Sequence, residues 1–335
     1  MAGNKDRHDP GFDLAGDLAG PVAGAASRPV RIGEGEVRVG TASWTDPTMV
    51  EKGVFYPDDA TNAEDRLRYY ASLFPVVEVD ATYYALPREQ QSKLWAERTP
   101  DDFLFDVKAH ALMTGQPTEV KRLPKGVREA LPEQLQAKSR IYGKDLPSEI
   151  RDEVWDAFKR GVEPLRQAGK LGAVFLQFPR WVFPSNEARE QILEARELLG
   201  EIPLTVEFRH GSWLNEKNAE RTLRFLTDNR IPYVVVDEPQ GFKSSVPPVT
   251  AVTSPQFAVF RFHGRRQDTW EKPNIPPNER FRYLYDEDEL ADWAPRIAEA
   301  ARAAKQTHVL MNNCSGNYGT TNARQLAELL LQYQN

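Results

Sequence analysis

The stretch VVEVDATYYALPREQQSKLWAERTPDDFLFDVK, residues 76–108, decides the fold class. It opens with the β-branched run Val76–Asp80 and closes with the aromatic and β-branched run Phe103–Lys108. Between them, Arg88–Glu97 has the length and apolar spacing of an amphipathic helix. A strand, a helix and a second strand in this order are typical of a crossover unit that joins two parallel strands. The stretch therefore predicts an α/β fold.

The same alternation continues along the chain. Eight runs have the composition of strands: Val37–Gly40, Val76–Asp80, Phe103–Lys108, Ala173–Phe178, Leu204–Phe208, Tyr233–Asp237, Phe257–Phe262 and His308–Asn312. Seven amphipathic stretches have helical length: Ala63–Phe74, Arg88–Glu97, Arg151–Gln167, Glu187–Leu199, Glu216–Asn229, Glu287–Ala304 and Thr321–Leu331. Eight strands joined by crossovers predict one closed (β/α)₈ TIM barrel. A doubly wound open sheet is the alternative, but it would more naturally carry a glycine-rich phosphate loop after its first strand, where none is present.

Three segments fall outside this repeating pattern. Residues 1–30 are rich in Gly, Ala and Asp and predict a disordered N-terminal tail, so the barrel domain is expected to span residues 31–335. The Pro- and Ser-rich segment Glu238–Gln256 predicts a loop. The third crossover is abnormally long, and residues 111–150 predict a lid-like insertion or, alternatively, a surface excursion. Its basic residues are Lys121, Arg122, Lys125, Arg128, Lys138, Arg140 and Lys144.

The composition narrows the class of protein. A net charge of −6 at pH 7 does not favour duplex nucleic acid as the partner. The single cysteine, Cys314, excludes an intramolecular disulfide and fits a reducing compartment. No apolar run approaches the roughly 20 residues that span a bilayer, and the N-terminal segment lacks the apolar stretch of a secretory signal. We expect a cytoplasmic protein with no membrane partner.

Charged and polar residues recur at the C-terminal ends of the predicted strands. The second strand carries Glu78 and Asp80, and the seventh carries Arg261 and His263, so each pair shares one face of its strand. Other residues at such positions are Asp106, Lys108, His110, Gln177, Glu207, Arg209, Asp237, Asn312 and Asn313. Charge inside buried strands needs a reason, and barrel enzymes place their chemistry at this rim. The pattern predicts a functional site; an internal salt-bridge network is the alternative.

The residue types at the rim indicate a site for an anionic group. Arginine forks bind phosphate or carboxylate, while a carboxylate or histidine beside them acts as acid or base. Four residues are predicted to be catalytic: Lys108, Glu207, Glu78 and His263. Nine are predicted to bind substrate: Arg209, Arg261, Arg265, Trp44, Tyr83, Gln177, Trp213, Asp237 and Asn312. The predicted function is a hydrolase, lyase or isomerase that acts on a small anionic substrate, phosphorylated or sugar-containing.

Other chemistries stay open. Glu78 and Glu207 are candidates for the paired carboxylates of a glycosidase. A divalent metal would give a phosphoesterase or endonuclease-like barrel, but no strict metal-ligand spacing occurs and Lys108 would repel the ion, so no cofactor is predicted. Lys108 is also a Schiff-base candidate, although nearby carboxylates oppose the depressed pKa that this chemistry requires. The non-catalytic alternative binds single-stranded nucleic acid or another anionic polymer through the basic insertion and the aromatic rim.

Ordered motifs over nearly the whole chain resemble one protein family. They are GTASWTDP (40–47), VFYP (54–57), VVEVDATYYALP (76–87), FLFDVKAHALMTGQP (103–117), GAVFLQFP (172–179), VEFRHGSW (206–213), VVDEPQG (235–241), FRFHGR (260–265) and MNNC (311–314). From about Val37 to the C-terminus the chain is similar to the domain of unknown function 72 (YecE-like) family. The resemblance implies a TIM barrel and no settled activity. The chain departs from the family pattern at Ala42–Ser43, where Ser-Gly is common, and within Phe178–Trp181, where a second proline is usual.

Overall fold

The computed structural model describes residues 25–334. Residues 1–24, most of the predicted N-terminal tail, and Asn335 lie outside the described range. Ala25–Ser27 form a short 3₁₀ helix, and Val30–Ile32 pair antiparallel with the first barrel strand. Regular structure therefore starts before residue 31, the predicted beginning of the barrel domain.

Eight parallel strands form the barrel. They are β1 (Gly35–Thr41), β2 (Val76–Val79), β3 (Leu104–Lys108), β4 (Leu171–Gln177), β5 (Leu204–Glu207), β6 (Val234–Asp237), β7 (Phe257–Phe262) and β8 (Gln306–Met311). Consecutive strands are neighbours, and β8 returns to pair with β1. A parallel bridge between Val206 of β5 and Tyr233, the residue before β6, completes the ring. The predicted (β/α)₈ barrel is confirmed.

Helices follow most of the strands. They are α1 (Ala63–Leu73), α2 (Glu89–Glu97), α3 (Ser148–Gln167), α4 (Asn186–Leu199), α5 (Ala219–Asp228), α6 (Glu287–Ala303) and α7 (Tyr318–Leu331). Side chains start several of them: Asn62 accepts hydrogen bonds from the backbone of Glu64 and Asp65 at 2.9 and 3.0 Å. Residues 238–256 contain neither helix nor strand, as predicted. Within residues 25–334 no helix is long and apolar enough to cross a membrane.

The insertion after β3 is built from short elements. They are the 3₁₀ helices Ala111–Thr114, Val120–Arg122 and Gly143–Asp145, the helices Lys125–Ala130 and Glu133–Gln136, and the antiparallel strands Thr118–Glu119 and Arg140–Ile141. Val120, Leu123, Val127 and Leu131 are buried. The insertion therefore has an apolar underside that fixes it to the barrel, and its outer side keeps the charges.

Burial on both faces explains why the strands are apolar. All four residues of β2, β5 and β6 and all six of β7 are buried. Side chains alternate between the helix layer and the barrel interior. Glu78 of β2, Glu207 of β5 and Arg261 of β7 contact one another and therefore lie inside the ring.

Candidate functional site

Arg261 joins two carboxylates across the interior of the barrel. Its Nη1 donates to Glu207 Oε2, and its Nη2 lies 2.9 Å from both oxygens of Glu78, with hydrogen-bond geometry to Oε1. The side chains are only 0–2 % exposed. A carboxylate on each of two strands thus shares one guanidinium on a third strand, and the three charges form a buried cluster.

The two carboxyl groups of this cluster differ in their proton affinity. Burial raises the pKa of Glu78 to about 7, against the opposing charges of Arg261 and Lys108. Burial also acts on Glu207, but Arg261, His263 and Arg209 together outweigh it and hold the pKa of Glu207 well below its ordinary value. Near neutral pH, Glu78 therefore exchanges a proton while Glu207 stays ionised. Environments that separate two carboxyl groups in this way are typical of acid/base sites.

His263 is buried beside Glu207. Its Nδ1 lies 2.8 Å from Asn312 Nδ2, and its Nε2 lies 3.2 Å from Glu207 Oε1. Arg209 Nη1 lies 3.0 Å from the same ring nitrogen. Burial and the charge of Arg209 lower the pKa of His263 to about 3. The ring is uncharged at neutral pH, which suits a role in positioning Glu207 and Arg209.

Lys108, at the end of β3, is a partly buried cation whose ammonium group has no close anion. Among the described residues, its Nζ makes no hydrogen bond and no ion pair within 4.0 Å, and it lies 5.0 Å from the centre of the Tyr83 ring. Burial lowers the pKa of Lys108, and Arg261 adds to this effect, while Glu78, Glu207 and Asp80 oppose it. The amine is therefore easier to deprotonate than an ordinary lysine.

A cavity of about 260 Å³ opens at the C-terminal mouth of the barrel. Its walls are Gln116, Gln177, Pro179, Arg180, Trp181, Arg209, Ser244, Trp270, Arg280 and Phe281. These include three arginines and no carboxylate, in the part of the chain that is described. Hydrogen-bond donors of the guanidinium type together with aromatic faces suit an anion that carries a flat or apolar group. We refer to this space as the rim cavity.

The three arginines of the rim cavity lie close together. Arg209 stacks on Trp270, with its Cζ 4.9 Å from the ring centre. Arg280 donates to the backbone carbonyls of Thr269 and Lys272 at 2.8 and 2.7 Å, so its position is fixed. Burial lowers the pKa of Arg280, and the charges of Arg180 and Arg209 lower it further. An anion bound between them would relieve this repulsion.

Gln116 connects the rim cavity to Lys108. The hydroxyl of Tyr83, the residue whose ring faces Lys108, donates to Gln116 Oε1 at 2.8 Å. Gln116 Nε2 in turn donates to the backbone carbonyl of Gln177 at 3.0 Å. Tyr83, Gln177 and Arg209, three predicted substrate-binding residues, thus lie at or next to this cavity. The predicted catalytic residues do not line it: Glu78, Glu207 and His263 are buried in the barrel interior, and Lys108 is partly buried at the end of β3.

Asp237 and Arg265 form a separate network. Arg265 donates to both oxygens of Asp237 at distances from 2.6 to 3.1 Å. The same carboxylate accepts from the Tyr285 hydroxyl at 2.8 Å and from Trp293 Nε1 at 2.7 Å. Arg265 also pairs with Glu289 at 2.9 Å. The network therefore joins β6 to α6, and the predicted role of Asp237 and Arg265 in substrate binding stays a prediction.

Two predicted aromatic contacts are packing residues in the structure. Trp213 is fully buried, stacks on Phe208 with ring centres 4.1 Å apart, and donates from Nε1 to the carbonyl of Val182 at 2.8 Å. Trp44 is 7 % exposed and packs edge-on against Trp95 at 5.7 Å. Neither residue lines the rim cavity.

Acidic and histidine side chains of the barrel do not gather into a metal site. Across residues 25–334, no group of three or more His, Cys, Asp or Glu has the arrangement that could hold a metal ion. Asp106, which the sequence places on the same face as Lys108, instead pairs with His308 Nδ1 at 2.8 Å and accepts from the backbone of Ala173 at 2.9 Å. The use of a divalent metal stays an untested alternative.

Comparison with known proteins identifies the family. The model described as "Protein of unknown function DUF72" matches residues 38–335. The chain belongs to this family. It is 32 % identical over 297 residues to the UPF0759 protein YunF of Bacillus subtilis, which covers 88 % of this chain and 94 % of YunF. It is 27 % identical over 203 residues to the UPF0759 protein YecE of Escherichia coli, which covers 60 % of this chain and 59 % of YecE.

Solved structures of DUF72 proteins share the fold. A DUF72 family protein of Thermotoga maritima is 31 % identical, with a TM-score of 0.68 over 88 % of this chain and 98 % of that protein. Another, from Enterococcus faecalis, is 26 % identical, with a TM-score of 0.67 over 88 % of this chain and 97 % of that protein. The family description assigns no activity, so the chemistry must be argued from the residues.

Several cavity residues were not predicted from the sequence. Arg180 and Trp181 lie in the loop after β4, and Arg280 and Phe281 lie at the end of the short helix Pro277–Arg280, which follows β7. Loops have no strand periodicity, so the pattern that located Arg209 and Arg261 does not reach them. The one available signal was the departure from the family pattern after Phe178, which places an arginine and a 51 % exposed tryptophan at the mouth.

Proposed function

We propose that this DUF72 protein is an enzyme that binds a small anionic substrate in the rim cavity and acts on it with the acid/base groups beneath. The observation that carries the proposal is the composition of the cavity, which has three arginines and no carboxylate. Glu78, with its pKa near 7, supplies a group that exchanges protons at neutral pH, and Lys108, whose pKa is lowered by burial, supplies a nearby amine. The reaction class we propose is that of a hydrolase, lyase or isomerase.

Isothermal titration tests the binding step. Glucose 6-phosphate and inorganic phosphate should bind, whereas glucose should not, because the guanidinium groups recognise the charge. Arg180→Gln should weaken phosphate binding about tenfold or more, since one charge-assisted hydrogen bond contributes about 1.5–3 kcal/mol. Arg221→Gln, an exposed arginine on α5, is the matched control and should bind as the wild type does. Equal affinities in the two variants would refute the proposed site.

A second candidate function rests on the charge of the insertion. Two cavities of about 610 and 510 Å³ share Lys121 and are lined by many cations. These are Arg88, Lys121, Arg122, Lys125, Arg128, Lys138, Arg140 and Arg160. Tyr84, 47 % exposed, lies under Arg122 at 5.6 Å and offers a ring on which a base can stack. This surface favours a single-stranded nucleic acid.

Fluorescence anisotropy with a labelled thymidine oligonucleotide tests this candidate. Binding should fall steeply with salt, and the double variant Lys121→Gln/Lys125→Gln should reduce the salt slope by about one to two. Lys52→Gln/Lys93→Gln, which removes two exposed lysines elsewhere, is the charge-matched control. Absence of binding at low salt would eliminate this function and leave the small-anion enzyme.

A further inference from the structure

The environment of Lys108, which is partly buried, differs from that of Lys170, a buried lysine directly before β4. The ammonium of Lys170 donates to the backbone carbonyls of Ala96 and Thr99 at 2.6 and 2.7 Å and lies 3.4 Å from the Thr99 hydroxyl. Lys108 has no such acceptors among the described residues, only the face of Tyr83. Removing an ammonium group from water without giving it hydrogen-bond acceptors costs free energy, and a neutral amine in the same place costs less. The carbonyl acceptors around Lys170 stabilise its ammonium form, whereas the surroundings of Lys108 favour the neutral amine.

The carboxylates near Lys108 are engaged elsewhere. Glu207 is paired with Arg261 and Arg209, and Glu78 is paired with Arg261. Neither comes within 4.0 Å of Lys108 Nζ, and neither does Asp80, the third acid that faces it. The sequence predicts that these carboxylates oppose a depressed pKa of Lys108, and they do. Burial and the charge of Arg261 nevertheless outweigh them, so the pKa of Lys108 is lowered.

We propose that Lys108 is a nucleophile that forms an imine with an aldehyde or ketone substrate whose anionic group is held by the arginines of the rim cavity. The inference rests on the proposed function for the anionic group, but the reactive amine is a separate property. Tyr83 and Gln116 form the contact path between Lys108 and that cavity. A partly exposed amine at the mouth of a barrel, with the arginines of an anion site beside it, suits a carbonyl acid or a carbonyl phosphate.

The step balances without any additional reagent. The Nζ lone pair attacks the carbonyl carbon, the C–N bond forms, and the carbonyl oxygen takes the proton that nitrogen releases. The resulting hydroxyl leaves as water with a second proton, and the nitrogen lone pair completes the C=N bond. Glu78 is suited to carry these protons, because its pKa lies near 7 and its charge acts on Lys108.

Reductive trapping tests the proposal. The protein is incubated at pH 7 with sodium cyanoborohydride and either glyoxylate or acetaldehyde, and labelled lysines are mapped by mass spectrometry. Each unit by which a lysine pKa falls raises the neutral-amine fraction about tenfold. We therefore expect Lys108 to be labelled faster than the exposed Lys93. Lys170 should remain unlabelled. Labelling of Lys108 no faster than Lys93 would overturn the inference.

Two further comparisons separate this inference from the proposed function. If Lys108 reacts rapidly with glyoxylate and acetaldehyde alike and Arg180→Gln changes nothing, the nucleophile stands and the anion site fails. If calorimetry detects glyoxylate in the cavity but Lys108 is not labelled, the anion site stands and the nucleophile fails.

The labelling rate of Lys108 should also reach its plateau at a lower pH than that of Lys93. Lys108→Met should melt as the wild type does, because no hydrogen bond is lost.

Discussion

Replacing Arg261 by methionine would leave two buried carboxyl groups, Glu78 and Glu207, without their shared cation. Methionine has a similar length and fills the apolar part of the space, so packing changes little. Breaking a buried ion pair by removing one partner typically costs about 3–5 kcal/mol. All three side chains are at most 2 % exposed, so solvent does not screen the cluster. For a domain of this size the loss corresponds to a fall in melting temperature of about 5–8 °C.

Urea unfolding followed by tryptophan fluorescence measures this loss, and the pH dependence identifies its cause. Without Arg261 the folded-state pKa of both carboxyl groups rises above the unfolded value, so their protonated forms are the stable ones when folded. The deficit of Arg261→Met should therefore shrink as the pH falls from 8 to 5. Adding Glu78→Gln should restore part of the stability. A deficit below about 1 kcal/mol at pH 8, or one independent of pH, would refute the reasoning.

Three other substitutions give separate tests. Asp237→Asn removes the acceptor of several charge-assisted bonds, so urea unfolding should show a loss of about 2–4 kcal/mol; a neutral effect would mean that the network does not hold β6 to α6. Gly264→Ala puts a Cβ 2.6 Å from Tyr283 Cβ at a φ of +80°, so its melting temperature should fall, reflecting at least about 1–2 kcal/mol; an unchanged melting temperature would contradict the strain. Burial raises the pKa of Glu238 to about 7, so its contribution to stability is lost as the pH rises from about 4 to 7. The free energy of unfolding of Glu238→Gln, relative to that of the wild type, should accordingly increase when the pH is raised from 5.5 to 8. An equal difference between the two proteins at both pH values would exclude the titration of Glu238.

The fold was predictable because strand composition is local information. Phe257–Phe262 has the predicted bounds, and most of the other strands end within one or two residues of theirs. The larger errors lie at helix starts, such as α3, which begins at Ser148 rather than Arg151. Pro147 supplies the N-cap there, a feature that the amphipathic pattern does not contain.

Of the candidate site, only the cluster inside the barrel was predictable from the sequence. Period-two spacing correctly grouped Glu207, Arg209, Arg261 and His263, because a strand aims alternate side chains at the same place. The same reasoning assigned Arg265 to the ligand, but the chain turns at Gly264, and Arg265 meets Asp237 instead. Arg180 and Arg280 could not be assigned because they lie outside the strands, in a loop and a short helix whose paths depend on tertiary packing.

The position of Arg261 has a consequence for how the barrel finds its strand alignment. Its two partners lie on β2 and β5, on opposite sides of β7 around the ring. If β7 shifted by one residue, Arg261 would turn toward the helices and a phenylalanine would take its place inside. Glu78 would then be buried beside an aromatic ring without its arginine, and Glu207 would keep only Arg209. The misaligned barrel would be penalised at three strands simultaneously, so a single arginine discriminates against wrong registers that apolar packing alone would tolerate.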